Sequence, residues 1–367
     1  MAGAGRSAWL MLLGSAALPA TLFWDFSFES TIGVDRFFAA PHVATDLAVL
    51  LAAAGAFGLL RASTRAGDPQ AVALGRARAP LGAWLVLWAA LAFATALVFD
   101  RWWQTGYGLA AGIWHPPQIL KAVSFFALAT GVGLVWLPRQ EQPGGALAFA
   151  LAGGALLSLI SVVTLASSFA NLQRGAFFYA LCCATYPVVL AALAVSGRLR
   201  FTATAAALFA FALQLALVWI LPLVPGAPEV GPIYNPRTTL LPPPFPLLLV
   251  VPALALDVLL RARSSRAGAL LGLAALETGV AFAALFLSVQ WLLAGFLLSP
   301  AADSWLFAGG GRHWPFFLRI EPSARVAFWH APGDALDATR AALAALYAVL
   351  AALAGLALAA GMKRVRA

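Results

Sequence analysis

The sequence predicts an all-α polytopic membrane bundle of about ten transmembrane helices, and two observations carry that prediction. Of 367 residues, 62% are hydrophobic and 10% charged, which leaves more apolar surface than a water-soluble fold can bury. Apolar runs of about 20 residues also recur along the whole chain, the length at which a helix rising about 1.5 Å per residue crosses a hydrocarbon core of about 30 Å. The runs lie near 8–24, 42–60, 80–99, 118–137, 146–166, 176–196, 202–224, 244–260, 268–298 and 341–361, within a single transmembrane domain over 1–367.

Basic residues orient the spans. Arg6, the group Arg61, Arg65, Arg76 and Arg78, then Arg139, Arg198 with Arg200, Arg261 with Arg263 and Arg266, and finally Lys363, Arg364 and Arg366 fall in alternate connections. Lys and Arg are retained on the cytoplasmic side, so both termini are expected in the cytoplasm and the protein in the cytoplasmic (inner) membrane. The net charge of +9 follows from that topology and suits anionic lipid headgroups. It does not indicate nucleic acid, because the arginines sit in short loops between spans. The first run follows a single Arg, as a signal peptide does, but no convincing small-x-small cleavage site precedes Asp25 and the run is expected to remain as a helix. In the sixth run Cys182 and Cys183 are adjacent, about 100° apart on a helix, and read as small packing residues that cannot pair.

The first connection carries the densest chemistry. Residues 23–46 read FWDFSFESTIGVDRFFAAPHVATD. Asp25 and Glu29 share one face if the first helix continues through them, and His42 and Asp46 repeat that spacing at the start of the second span. Two helices joined by a short loop can direct such groups toward one point, the way bundles assemble metal sites. Mixed nitrogen and oxygen ligands suit zinc, copper or iron better than magnesium or calcium.

Residues 99–121, FDRWWQTGYGLAAGIWHPPQILK, echo this stretch in the second connection between outer ends. Asp25 falls on Asp100, Glu29 on Gln104 and Gly33 on Gly108; after a one-residue insertion Pro41 meets Pro117, His42 meets Gln118 and Gly55 meets Gly131. The helix pairs 8–60 and 80–137 thus read as a repeated helix-loop-helix unit. The second copy replaces both donors of strong metal affinity with amides. Its Asp100 is expected to cap the third span or to support a first-copy ligand as a hydrogen-bond partner, and His115 stands three residues before Gln118.

Later outer segments are long. Residues 225–246 contain eight prolines and cannot form regular helix or sheet, so an extended cap held by its own packing is expected. The segment 299–340 is rich in aromatics and carries His313 and His330, which suits an interfacial belt. Its AGGGRH stretch follows no strand and opens no βαβ unit, so it is not a phosphate loop. Inside the spans Glu277, Asp257, Gln214 and Gln290 stand out, and Glu277, about 14 Å deep, is the candidate for an intramembrane functional acid. Asp257, one turn before Arg261, reads as structural.

The pattern Asp25-x3-Glu29-x5-Asp35-x6-His42, with a proline just before the histidine, resembles the metal-binding stretch in the C subunit of the particulate methane and ammonia monooxygenases, which carries Asp-x3-His-x12-His. Asp25 and His42 match in type and spacing, and Glu29 stands at the first histidine. The resemblance covers about 20 residues, in two copies at most. It implies one transition metal ion, copper, zinc or iron, bound by Asp25, Glu29, His42 and Asp46 at the outer face of a metal-handling or oxidoreductase-like subunit. No haem Cys-x-x-Cys-His or ferredoxin-like cysteine run is present, so a redox partner or other subunits of a membrane complex would supply electrons. The competing readings are a proton-coupled transporter using Glu277 and a scaffold subunit with large outer loops. The orientation is testable by labelling single cysteines introduced at Gln70 and Asn235: a membrane-impermeant reagent applied from outside should modify Asn235→Cys and spare Gln70→Cys, and the reverse pattern inverts the topology.

Overall fold

The computed structural model of the chain describes residues 2–33, 36–108, 114–229, 237–264, 271–307 and 334–366. Ten α-helices account for most of them: α1 Ala2–Ile32, α2 Ala40–Ala66, α3 Leu81–Tyr107, α4 Pro116–Trp136, α5 Gly145–Val163, α6 Ala176–Ser196, α7 Thr202–Ile220, α8 Val250–Ser264, α9 Leu271–Leu297 and α10 Ala338–Arg366. Nine of these are long and apolar enough to cross a membrane; α8, with 15 residues, is the exception. The connection from α2 to α3 holds a two-stranded hairpin, β1 Val72–Leu74 with β2 Ala77–Ala79, turning at Gly75 with φ 61°.

Small residues set the helix crossings, because backbones in an apolar solvent gain by close approach rather than by hiding apolar faces. A Cβ added to Gly55 on α2 would lie 2.5 Å from the carbonyl oxygen of Ser7, and one added to Gly131 on α4 would lie 2.6 Å from that of Gly82. Under the alignment that sets Asp25 on Asp100, Ser7 falls on Gly82 and Met11, which also touches Gly55, falls on Val86, which also touches Gly131. The pairs α1–α2 and α3–α4 therefore cross at matching positions.

The basic connections meet at one end of the bundle. Gln140 donates to the Ser196 carbonyl at 3.1 Å and accepts the Arg198 N–H at 2.7 Å, while Arg198 also pairs with Glu141. Burial holds the Arg139 guanidinium below its ordinary value, opposed by nearby Asp68 of the α2–α3 connection. Trp9 of α1 packs edge-on against Trp136 at 4.8 Å, and Ser196 lies 3.5 Å from Met362 Sδ, so both chain termini approach this end. Asp257 belongs here as well: fully buried, it accepts the N–H groups of Ala203 and Thr204 at 3.2 and 2.8 Å and caps α7. Arg261, one turn on, donates to the Leu199 carbonyl.

The proline-rich segment is held by more than its own packing. Residues 237–249 are not helical, and Leu240 to Pro244, Pro246, Leu247 and Leu249 are buried; the run expected near 244–260 becomes helical only at Val250. Backbone at this depth must find partners within the protein, and proline helps by bringing no N–H. Side chains of α1, α7 and α9 satisfy several of the others. Thr31 Oγ1 accepts the Leu241 N–H at 2.8 Å and Ser27 donates to the Leu241 carbonyl. Gln214 donates to the Pro244 carbonyl at 2.8 Å, and Gln290 accepts the Leu248 N–H at 3.0 Å while donating to Gln173 at 2.7 Å. The segment is thus fastened by three helices as well as by its own backbone pairing, in which the Gly226 N–H bonds to the Thr238 carbonyl and the Leu240 N–H to the Val224 carbonyl, both at 3.0 Å.

The crossings yield a test with an internal control. Gly131→Ala must push α3 and α4 apart and should destabilise the protein by about 1–3 kcal/mol, whereas Gly133→Ala, where an added Cβ meets nothing within 4 Å, should be neutral or slightly stabilising through helix propensity. Thermal unfolding in detergent reads both, and equal effects would remove the close approach as a stabilising feature.

Candidate metal centre

Local signals bring the first connection back on itself. Helix α1 runs on through Asp25 and Glu29 and stops where Gly33 takes φ 76° and returns its N–H to the Glu29 carbonyl at 2.9 Å, a left-handed C-terminal cap. Helix α2 begins with Pro41 in its first turn, where the missing N–H costs nothing. Between them Arg36 pairs with Glu229 at 2.9 Å, and the Glu229 N–H bonds to the Ile32 carbonyl at 3.0 Å. The segment after α7 is therefore tied to this loop through Glu229 and to α1 through Leu241.

One donor atom each from Asp25, Glu29 and His42 lie within 4.8 Å of one another. His42 Nδ1 is 3.0 Å from the Arg36 carbonyl oxygen. A nitrogen facing a carbonyl must carry the proton, so Nδ1 donates and Nε2 is the nitrogen left to ligate. That Nε2 lies 3.1 Å from Asp25 Oδ1, with the two side chains about a quarter exposed. Asp25 Oδ1 is shielded from solvent and has no aligned hydrogen bond, so the contact has ion-pair distance without hydrogen-bond direction. Two ligands of one ion stand in that relation: bonds of about 2.1 Å to nitrogen and oxygen leave donor atoms about 3 Å apart.

These residues line one part of a cavity of about 470 Å³ whose wall also includes Asp46 and, from the second copy, Asp100, Gln104 and Gln118. Asp46 lies within electrostatic reach of both His42 and Lys121 but outside the three-residue group. Asp100 is paired with Lys121, Nζ to Oδ2 at 2.5 Å, and not with a first-copy ligand. His115 precedes α4 in extended conformation and packs edge-on near Trp103 at 6.2 Å; it is not among the lining residues. Glu277 is half-buried on α9 and likewise does not line this cavity. Asp35, His313 and His330 lie outside the described residues.

Lys121 is the functional-looking residue that motif reading passed over. It is one of two lysines in the chain and stands early in an apolar span, which is itself a signal, since a charge there needs a partner. No protein-family model matches the chain, and neither does any curated protein or solved structure.

Proposed function

We propose that this chain is a metal-binding integral membrane protein in which Asp25, Glu29 and His42 hold one divalent transition ion at the end of the bundle opposite the basic connections. The positive-inside rule puts that end on the outer face of the cytoplasmic membrane. The observation that carries the reading is the His42 geometry. Its Nδ1 proton is committed to the Arg36 carbonyl and its Nε2 stands 3.1 Å from an unbonded carboxylate oxygen. A second-sphere bond of this kind fixes the ligating tautomer at metal sites.

The resemblance to the monooxygenase C subunits supports the same residues, with Glu29 in place of the first histidine. A second carboxylate makes the set harder, favouring zinc or iron(II) over the softer cuprous ion, with cupric copper remaining compatible. Three protein ligands leave coordination positions open toward the cavity, which suits metal-assisted chemistry or metal handling. Electrons for any redox step come from a partner in the membrane.

Equilibrium zinc titration of the detergent-purified protein should give one ion per chain. His42→Ala and Glu29→Ala should each abolish stoichiometric uptake, while Gln118→Ala, whose amide is a poor metal ligand, should leave it nearly intact. Folded wild-type protein that takes up no metal, or a Gln118→Ala variant behaving like His42→Ala, sinks the proposal.

The loop that presents His42 should matter through position alone. Glu229→Arg repels Arg36 and should weaken zinc affinity by about tenfold, the lower range for second-sphere changes, although residue 229 touches no ligand. Restoring opposite charges with Arg36→Glu in the same chain should recover most of the loss; no recovery assigns the effect to general damage.

A further inference from the structure

The ion would occupy only a corner of the cavity. About 470 Å³ lies within the range of small-molecule sites, and much of the wall is apolar, including Leu22, Phe93, Leu97, Phe125, Phe126 and Leu159. At the polar end Gln104 and Gln118 stand where the first copy has Glu29 and His42. Both are half-buried and line the cavity, and among the described residues neither carboxamide has a hydrogen-bond partner. Lys121 gives its one observed side-chain bond to Asp100, leaving two of its three donors uncommitted.

Charge narrows the ligand class. The lining contains the acids Asp25, Glu29, Asp46 and Asp100 against the bases Lys121 and Arg101. A divalent ion at the three-residue group restores neutrality. With the ion in place, a charged organic molecule would unbalance a partly desolvated site, whereas an uncharged one would not. Carboxamides and an ammonium together both accept and donate, which a hydroxyl group satisfies in full.

We propose that the metal-loaded cavity binds an uncharged amphiphile, its apolar body against the Phe93 and Phe125 wall and a hydroxyl group held by Gln104, Gln118 and Lys121. The two copies of the repeat then divide the work: the first holds the ion, and the second holds the organic ligand beside it. The proposal rests on the metal reading for its neutrality argument, and the shape and hydrogen-bond arguments stand apart from it.

The test uses zinc-loaded full-length protein in lipid nanodiscs and a medium-chain alcohol carrying a diazirine, with labelled peptides mapped by mass spectrometry. Labelling is expected on α3 and α4 around the cavity, with 1-octanol competing about tenfold better than octane, the factor for one or two neutral hydrogen bonds, and better than octanoate or octylamine. Ala122→Phe, which fills the cavity from its wall, should abolish labelling, and replacing Gln104 and Gln118 by leucine should erase the preference for octanol over octane while zinc stoichiometry is retained. Labelling that survives Ala122→Phe, or that octane suppresses as well as octanol does, overturns the proposal. Zinc uptake in the same samples separates the two readings: uptake with unselective labelling defeats this one alone, and selective labelling without uptake defeats the metal reading alone.

Discussion

Inside an apolar bundle every backbone N–H and carbonyl needs a partner, and the buried non-helical residues 237–249 draw polar side chains of three helices toward them. Gln290, Gln214, Ser27 and Thr31 are each committed to that segment. Leaving any of its donors unsatisfied would cost about 1–3 kcal/mol, so the segment and the faces of α1, α7 and α9 that serve it specify one another. Gln214 and Gln290, conspicuous in the sequence as intramembrane polar residues, are accounted for by this role.

The same constraint aims the candidate centre. Ser27 and Thr31 alternate with Asp25 and Glu29 on α1, and two residues turn a helix by about 200°. One face is bonded to Leu241, and the opposite face is thereby turned toward the cavity. At the end of α1 Glu229, from the chain before that segment, bonds to Ile32 and Arg36, and the Arg36 carbonyl orients His42. Helix rotation and imidazole tautomer both depend on contacts made by chain about 200 residues away in sequence.

The pairs α1–α2 and α3–α4 share the crossing and differ in chemistry. Gly55 against Ser7 and Gly131 against Gly82 are the same contact, because a helix pair at van der Waals distance tolerates nothing larger there. The residues facing the cavity are under no such restriction. Glu29 and His42 of one pair and Gln104 and Gln118 of the other line the same cavity.

The transmembrane helices and the arginine-bearing turns follow from composition and spacing, since length and hydropathy are properties of consecutive residues. The shared face of Asp25 and Glu29 follows in the same way, because helical periodicity places them without reference to the rest of the chain. The start of α2 at the Ala-Pro-His stretch is equally local. Tertiary structure alone decided that α8 begins late, that the prolines run through the interior, that Lys121 meets Asp100 and that both repeat copies line one cavity. Each of these joins residues far apart in sequence through side chains on particular helix faces. In a chain apolar on nearly every face, hydrophobic periodicity does not say which face turns inward; close packing at glycines and the pairing of buried polar groups do.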